Sequence, residues 1–325
     1  MHSVIKVSFL FLLFTASLHA VSVLTEYRKN GIESIEKKLD LELTKTKYWI
    51  KYLEKEDNRF GYLEKYSNVL SCNKKKATLD LYIKNSHGKF YLKNKNSAYT
   101  GKNSGDKKTE GDLKTPVGIY KLVKKKDVNL DPFYGPLALV TSYPNTYDKY
   151  LGKTGHGIWI HGVPEKQKRD SFTKGCIAIQ NQNLKNIAKE TELYNTLLII
   201  NENSSAGKIN KKTLAILLSQ LYTWRYAWLY NKTKLYLSFY DTKFVRSDGM
   251  KFANFKRYKS RVFKKSGKKT ILFQDINVLP YPNKKNLYQI MFREYYKSSR
   301  FEFHGNKVLV VRFLKNNKFK ILTEK

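Results

Sequence analysis

Cysteine is scarce. The 325 residues hold two, Cys72 and Cys176. Two thiols can form at most one bridge, so a disulfide framework is excluded as the source of stability. The common cofactor and metal signatures are also missing: no GxGxxG, GxxxxGK, HExxH or zinc-finger spacing occurs. That removes the usual dinucleotide, P-loop and zinc-protease classes. Beyond the first twenty residues no stretch approaches the roughly 18 apolar residues that a membrane span needs. Acidic residues are few as well. The 27 Asp and Glu stand against 62 Lys and Arg and leave a net charge of +35. Such a charge suits an anionic partner: nucleic acid, membrane lipid or an acidic wall polymer.

What is present reads as folded protein. Aromatics make up 14% and apolar residues 41%, too much for a disordered chain and enough for two or three cores. Lys6 followed by the uncharged run "VSFLFLLFTASLHA" reads as a secretory signal over residues 1–20, cut after Ala20 or after Ser17. This implies export to the periplasm, argues against nucleic acid as the partner, and leaves no transmembrane span once the signal is removed. Residues 21–76 are expected to be helical. Ile32, Ile35, Leu39 and Leu43, then Trp49, Ile50 and Leu53, recur at helical intervals. This face could cap the next domain or pair two copies of the chain. Residues 77–202 carry β-type alternation, with strands expected at 137–141, 157–162, 176–179 and 195–200. A helix lies between the last two, with Asn183 as its N-cap. "NENSSAGKIN" is the most linker-like stretch. Residues 211–325 read as an α+β domain, helices first and a curved antiparallel sheet after. Trp224, Trp228, Tyr236, Tyr240, Tyr295 and Tyr296 there are either core or the lining of a saccharide cavity.

The chemistry concentrates in two runs, "GHGIWIHG" and "SFTKGCIAI". A thiolate attacks acyl carbons, but a thiol near neutral pH is only slightly ionised and needs a base beside it. In "GIWIHG" the isoleucines alternate with Trp159 and His161, which places His161 on the opposite face from the apolar layer. Gly175 removes a side chain beside Cys176, leaving room for a substrate backbone, and the N–H groups of that turn could face an oxyanion. Other readings stay open. Cys176 can be a buried, inert thiol, or it can share zinc with His156 and His161, although a spacing of five on a strand opposes those two rings.

With the upstream "KTPVGIY", these runs resemble the L,D-transpeptidase catalytic-domain family: Thr115, Pro116 and Gly118 match its turn, His161-Gly162 its His-Gly, and Thr173, Gly175 and Cys176 its Ser/Thr-x-Gly-Cys. The resemblance implies a mainly β catalytic domain acting on peptidoglycan stem peptides without a cofactor or metal. In that family's terms Cys176 is the nucleophile, His161 the base and then the acid, and a carbonyl at Gly162 orients the ring. His156, Gly175, Lys174, Thr173 and Arg169 are the expected substrate contacts. Lys174 replaces a common His and Ala178 a usual Arg, so the positive charge near the substrate is expected from Lys174 or Arg169. The three-part layout further resembles the cell-shape-determining L,D-carboxypeptidases of helical epsilonproteobacteria. Their C-terminal domain is nuclear-transport-factor-2-like, and their N-terminal helices serve dimerisation. This implies hydrolysis of tetrapeptide stems to tripeptides. The alternatives are an L,D-transpeptidase that makes 3–3 crosslinks or attaches protein, and a non-catalytic wall-binding scaffold.

Overall fold

The structure, a computed structural model, describes residues 3–127, 130–165, 170–203, 209–265 and 267–325, with side chains from Ser22 onward. Helix α1 (Ser3–Leu43) is broken at Gly31, whose φ of 75° and ψ of 179° lie outside helical space, and α2 (Thr46–Tyr52) follows. Short strand β1 (Tyr62–Leu63) leads into β2 (Asn68–Asn73), β3 (Thr78–Lys84), β4 (Phe90–Tyr99) and β5 (Gly118–Lys126). Next come β6 (Ala138–Thr141), α3 (Thr146–Tyr150), β7 (Trp159–His161), β8 (Ile177–Ile179), α4 (Asn181–Glu190) and β9 (Thr196–Asn201). The last third contains α5 (Lys211–Leu229), α6 (Thr233–Ser238) and α7 (Phe252–Lys264). Four long strands close it: β10 (Lys269–Pro280), β11 (Leu287–Ser298), β12 (Glu302–Phe313) and β13 (Phe319–Glu324). No helix among the described residues is long and apolar enough to cross a membrane.

Strands β2 to β9 close into a barrel in the order β2-β3-β4-β8-β7-β6-β5-β9. Its interior is filled by Leu70, Cys72, Leu79, Leu122, Leu139, Ile158, Ile160, Ile177 and Ile179 among others. The second sheet runs β1-β10-β11-β12-β13 and is buried on both faces. Val278, Ile290, Phe292, Leu309, Val311 and Ile321 face helix α5. Their neighbours Leu279, Met291, Val310 and Leu322 face the outside of the barrel, where Val69, Ile119, Leu197 and Ile199 meet them. A strand covered on both sides loses its polar alternation, and this explains the run "VLVV" in β12. Register shifts in β10 and β12 supply the curvature.

Three expectations need correction. Helix does not fill residues 21–76: it ends near Tyr52, and β1 and β2 follow. Strand β2 is buried at every position, and a short apolar run cannot be told from a helix face by periodicity alone. The leading helices do not cap the neighbouring barrel. Trp49 stacks on Tyr222 at 5.1 Å, Arg225 bonds Asp40 at 2.6 Å, and Trp49 and Leu53 belong to the core of the C-terminal domain. Helix α4 is capped at Gln180 without a side-chain bond, so Asn183 lies inside its first turn.

Candidate active site

Strand pairing builds the site. His161 lies opposite Ala178, and Ile160 opposite Ile177, in the parallel pair of β7 and β8. The two isoleucines point into the barrel. Trp159, His161, Ala178 and the preceding Cys176 therefore share the outer face, on strands about 4.8 Å apart. His161 is 2% exposed and its Nδ1 lies 2.7 Å from the carbonyl oxygen of Gly162. A carbonyl only accepts, so Nδ1 carries the hydrogen and Nε2 is left with its lone pair. Tyr134 closes over the ring edge-on at 5.0 Å. The backbone N–H of Gly162 donates to the Tyr134 carbonyl at 2.8 Å.

Gly162 has no space for a side chain. A Cβ there would lie 2.2 Å from Asn181 Oδ1. Asn181 accepts from the Val163 N–H at 2.8 Å and donates to its carbonyl at 3.0 Å, clamping the chain that leaves His161. Neither Asn181 nor Tyr134 stood out in the sequence. The only signal was the turn chemistry of "DPFYGP", which marks a loop but not where it lands.

Cys176 is partly exposed, and Cys72 is fully buried in the barrel; neither is in a disulfide. Burial pushes the Cys72 thiol up to about 12, which keeps it protonated and inert. The sulfur of Cys176 lies 3.5 Å from both the Trp159 N–H and the Gly157 carbonyl. Thr173 supports it from behind. Its hydroxyl accepts from the Gly175 N–H at 3.0 Å and donates to the Cys176 carbonyl at 2.7 Å. Thr115, in the upstream Thr-Pro turn, accepts from the Gly101 N–H at 2.8 Å and reaches the same carbonyl at 3.5 Å.

Several expected substrate contacts therefore have other roles. Thr173 is buried and acts as scaffold. Gly175 does not open space for substrate: its φ is 135°, and a Cβ would come within 2.9 Å of the Lys114 carbonyl. Its N–H is engaged by Thr173 and does not point to an oxyanion. His156 sits in an exposed loop, 3.8 Å from Glu110, next to Gly157, whose carbonyl lies against the Cys176 sulfur; among the described residues no group of three His, Cys, Asp or Glu side chains is placed to hold a metal. Lys174 is exposed beside the cysteine, and Arg169 lies outside the described residues.

Buried lysines hold the long loop between β4 and β5 that carries the Thr-Pro turn. Lys153 bridges Asp106 at 2.8 Å and Asp148 at 2.7 Å, and Asp148 also accepts from Tyr120 at 3.0 Å. Lys107 pairs with Asp112 at 2.8 Å and Lys74 with Glu202 at 2.6 Å.

The chain belongs to the L,D-transpeptidase catalytic-domain family, which matches residues 68–200; residues 216–325 match the Cds6 C-terminal NTF2-like domain. Among solved structures it is similar to the helical cell shape determining protein Pgp2 of Campylobacter jejuni. The two are 39% identical with a TM-score of 0.79, over 87% of this chain and 99% of that one. Bd1075 of Bdellovibrio bacteriovorus shares the fold at 24% identity and a TM-score of 0.64, over 83% of this chain and 94% of that one. YafK of Escherichia coli strain K12 is 34% identical over 115 residues, which are 35% of this chain and 43% of that protein. The match thus spans less than half the length of that relative.

The C-terminal domain contains a cavity of about 710 Å³, lined by Trp228, Tyr258, Lys259, Glu294, Tyr296 and Lys307 among others. Of the six aromatics considered for such a cavity, only Trp228 and Tyr296 line it. Trp224, Tyr236 and Tyr240 are buried core, and Tyr295 packs on His304. The Lys259 ammonium lies 4.8 Å from the Trp228 ring and 5.5 Å from those of Tyr236 and Phe255. Burial pushes it down to about 8, and burial likewise raises Glu294.

Proposed function

We propose that this protein is a periplasmic peptidoglycan L,D-carboxypeptidase that removes the terminal D-alanine from tetrapeptide stems, leaving tripeptides. The observation that carries the reading is the His161 ring, held through Nδ1 by the Gly162 carbonyl at 2.7 Å, on the same strand face as Cys176. His161 Nε2 takes the thiol proton and the thiolate attacks the carbonyl of the third stem residue. The carbon–nitrogen bond to D-alanine breaks, and the leaving amine receives the proton from the imidazolium. Water, deprotonated by the same imidazole, then cleaves the thioester and restores the thiol. The choice of water over an amine rests on the three-part layout shared with the cell-shape carboxypeptidases.

Two further assignments belong to this reading. The cavity of the C-terminal domain holds a wall-derived ligand between its aromatic walls and its Lys259, Lys307, Glu294 and Glu324 charges. Two copies associate through the leading helices, where Val23, Leu24, Tyr27, Ile32 and Leu39 are exposed; removal of residues 1–43 is expected to reduce the mass seen in sedimentation to that of one chain.

The deciding experiment is mass analysis of tetrapeptide muropeptides after incubation with the wild type and with Cys176→Ala. Free D-alanine with tripeptide, lost in the variant, is the expected result. Tripeptide-linked dimers would replace hydrolysis with transpeptidation. An unchanged product profile in the variant, with sacculus binding retained, would reduce the chain to a wall-binding protein.

A further inference from the structure

The family's arginine position is Ala178 here, fully buried in the row of residues that crosses the catalytic face. Register extends this row. Ala178 lies opposite His161, His161 opposite Ala138, and Ala138 opposite Lys126. One row further along, Trp159 lies opposite Val140 and Val140 opposite Lys124. Paired residues share a face, so β5 brings two lysines onto the sheet face that carries His161. They stand two strands away, about 10 Å at the backbone, a gap that a lysine side chain spans in large part.

A depression of about 480 Å³ occupies this place, lined by Lys124, Lys126, Tyr134 and Trp159 among others. It adjoins the chemistry through its walls. Trp159 donates its N–H toward the Cys176 sulfur, and the Tyr134 ring touches both Trp159, at 5.3 Å, and His161, at 5.0 Å. The Lys126 ammonium sits 4.4 Å from the Trp159 ring centroid, and this holds the charge over the pocket rather than out in solvent. Of the acidic residues at the rim, Asp127 is ion-paired and Asp131 caps a turn, and the lysines Lys124, Lys125 and Lys126 of the lining outnumber them. Asp127 pairs with Lys125 at 2.8 Å, and Asp131 accepts from the Phe133 N–H at 2.9 Å. Among the described residues neither Lys124 nor Lys126 has a carboxylate partner.

We propose that Lys126, with Lys124 beside it, binds the free carboxylate of the residue released from the stem, and so makes the site specific for a chain end. The inference rests on the hydrolytic reading for the direction of the substrate. His161 must protonate the leaving amine, so the leaving residue lies on the His161 side of the scissile bond, toward Tyr134 and the lysine pocket. In D-alanine the carboxylate is one carbon beyond that amine, and it enters the pocket as the anion for the two ammonium groups. A stem that continues past this residue presents an amide there instead. It leaves the lysines without a counter-charge, and it is a poor substrate. The positive charge that the family draws from a residue two after the cysteine thus comes from the opposite side of the histidine.

The test uses the full chain and two synthetic tetrapeptides, one ending in free D-alanine and one in D-alaninamide. The wild type is expected to cleave the acid at least about tenfold better in kcat/KM, the scale of one charge-assisted bond. In Lys126→Met the preference collapses toward unity, Lys126→Arg restores it, and Lys234→Met, at an exposed lysine of α6 away from the pocket, keeps it. Equal cleavage of acid and amide by the wild type, or a preference that survives in Lys126→Met, overturns the assignment. Binding of both peptides to Cys176→Ala by calorimetry, with and without Lys126→Met, separates the two levels. If the wild type releases no D-alanine yet this inactive chain binds the acid over the amide through Lys126, hydrolysis fails and the subsite stands. If this chain binds both peptides alike, the subsite fails whatever the reaction.

Discussion

Thr173 and Gly175 illustrate how the residues around Cys176 divide between chemistry and support. Thr173→Val removes the acceptor for the Gly175 N–H and the donor to the Cys176 carbonyl. A buried donor left without a partner costs about 1–3 kcal/mol, so a lower melting temperature is expected together with a fall in kcat larger than any change in KM. Gly175→Ala forces a Cβ to 2.9 Å from the Lys114 carbonyl at a φ of 135°. Backbone strain alone costs about 1–3 kcal/mol, and thermal unfolding of the variant measures it. His161→Gln keeps a polar side chain but no base, and a loss of at least about a hundredfold in D-alanine release is expected. His161, Gly162 and Cys176 stood out in the sequence because two short runs, His-Gly and Thr-x-Gly-Cys, match the family motif. Tyr134 and Asn181 were not legible: Tyr134 reaches His161 across a loop, Asn181 reaches the Val163 backbone from the start of α4, and nothing local marks either contact.

At the scale of elements, the buried ion pairs and the C-terminal cavity make separate predictions. Lys153 is enclosed by Asp106 and Asp148. Lys153→Met leaves the buried Asp148 carboxylate, and the partly exposed Asp106 beside it, without their cation, a loss of about 3 kcal/mol that denaturant unfolding will show. Lys259 has the opposite balance. Its ordinary value is 10.5, and in the fold it titrates at about 8. Between these values the unfolded chain binds the proton that the folded chain has lost, so the Lys259 contribution to stability rises from pH 8 to pH 10.5 and is lost as the pH falls through that window. Comparison of melting temperature against pH in the wild type and in Lys259→Met isolates this slope, which should flatten in the variant. Element types in the C-terminal half were largely legible, since α5 is a long apolar helical run and the long strands are rich in β-branched and aromatic residues. Strand β2 was not, because its six buried residues carry no alternation.

Across the whole molecule, one sheet couples the two large domains. Its residues alternate between the C-terminal core and the barrel, as Val278 and Leu279 do. The barrel and the C-terminal domain are therefore expected to unfold in one calorimetric transition. Leu279→Ala, on the barrel side, should lower it by about 2–5 kcal/mol without splitting it; two resolved transitions would contradict the coupling. The charge of +35 acts at this scale too. Retention on isolated sacculi should weaken as NaCl is raised, since exposed charges are screened beyond about 10 Å at 0.1 M salt.

By itself the sequence determined the family and the fold class, a mainly β domain followed by an α+β domain. Those follow from short motifs and local periodicity, in which neighbouring residues carry the signal. Tertiary structure alone decided the rest: that the leading helices dock on the C-terminal domain, that Gly175 accommodates the Lys114 carbonyl and not a substrate, and that β5 brings Lys124 and Lys126 onto the catalytic face. Each of these depends on which strands become neighbours in a closed barrel or a two-faced sheet. That choice is made by long-range pairing and shared burial, which no local window of sequence contains.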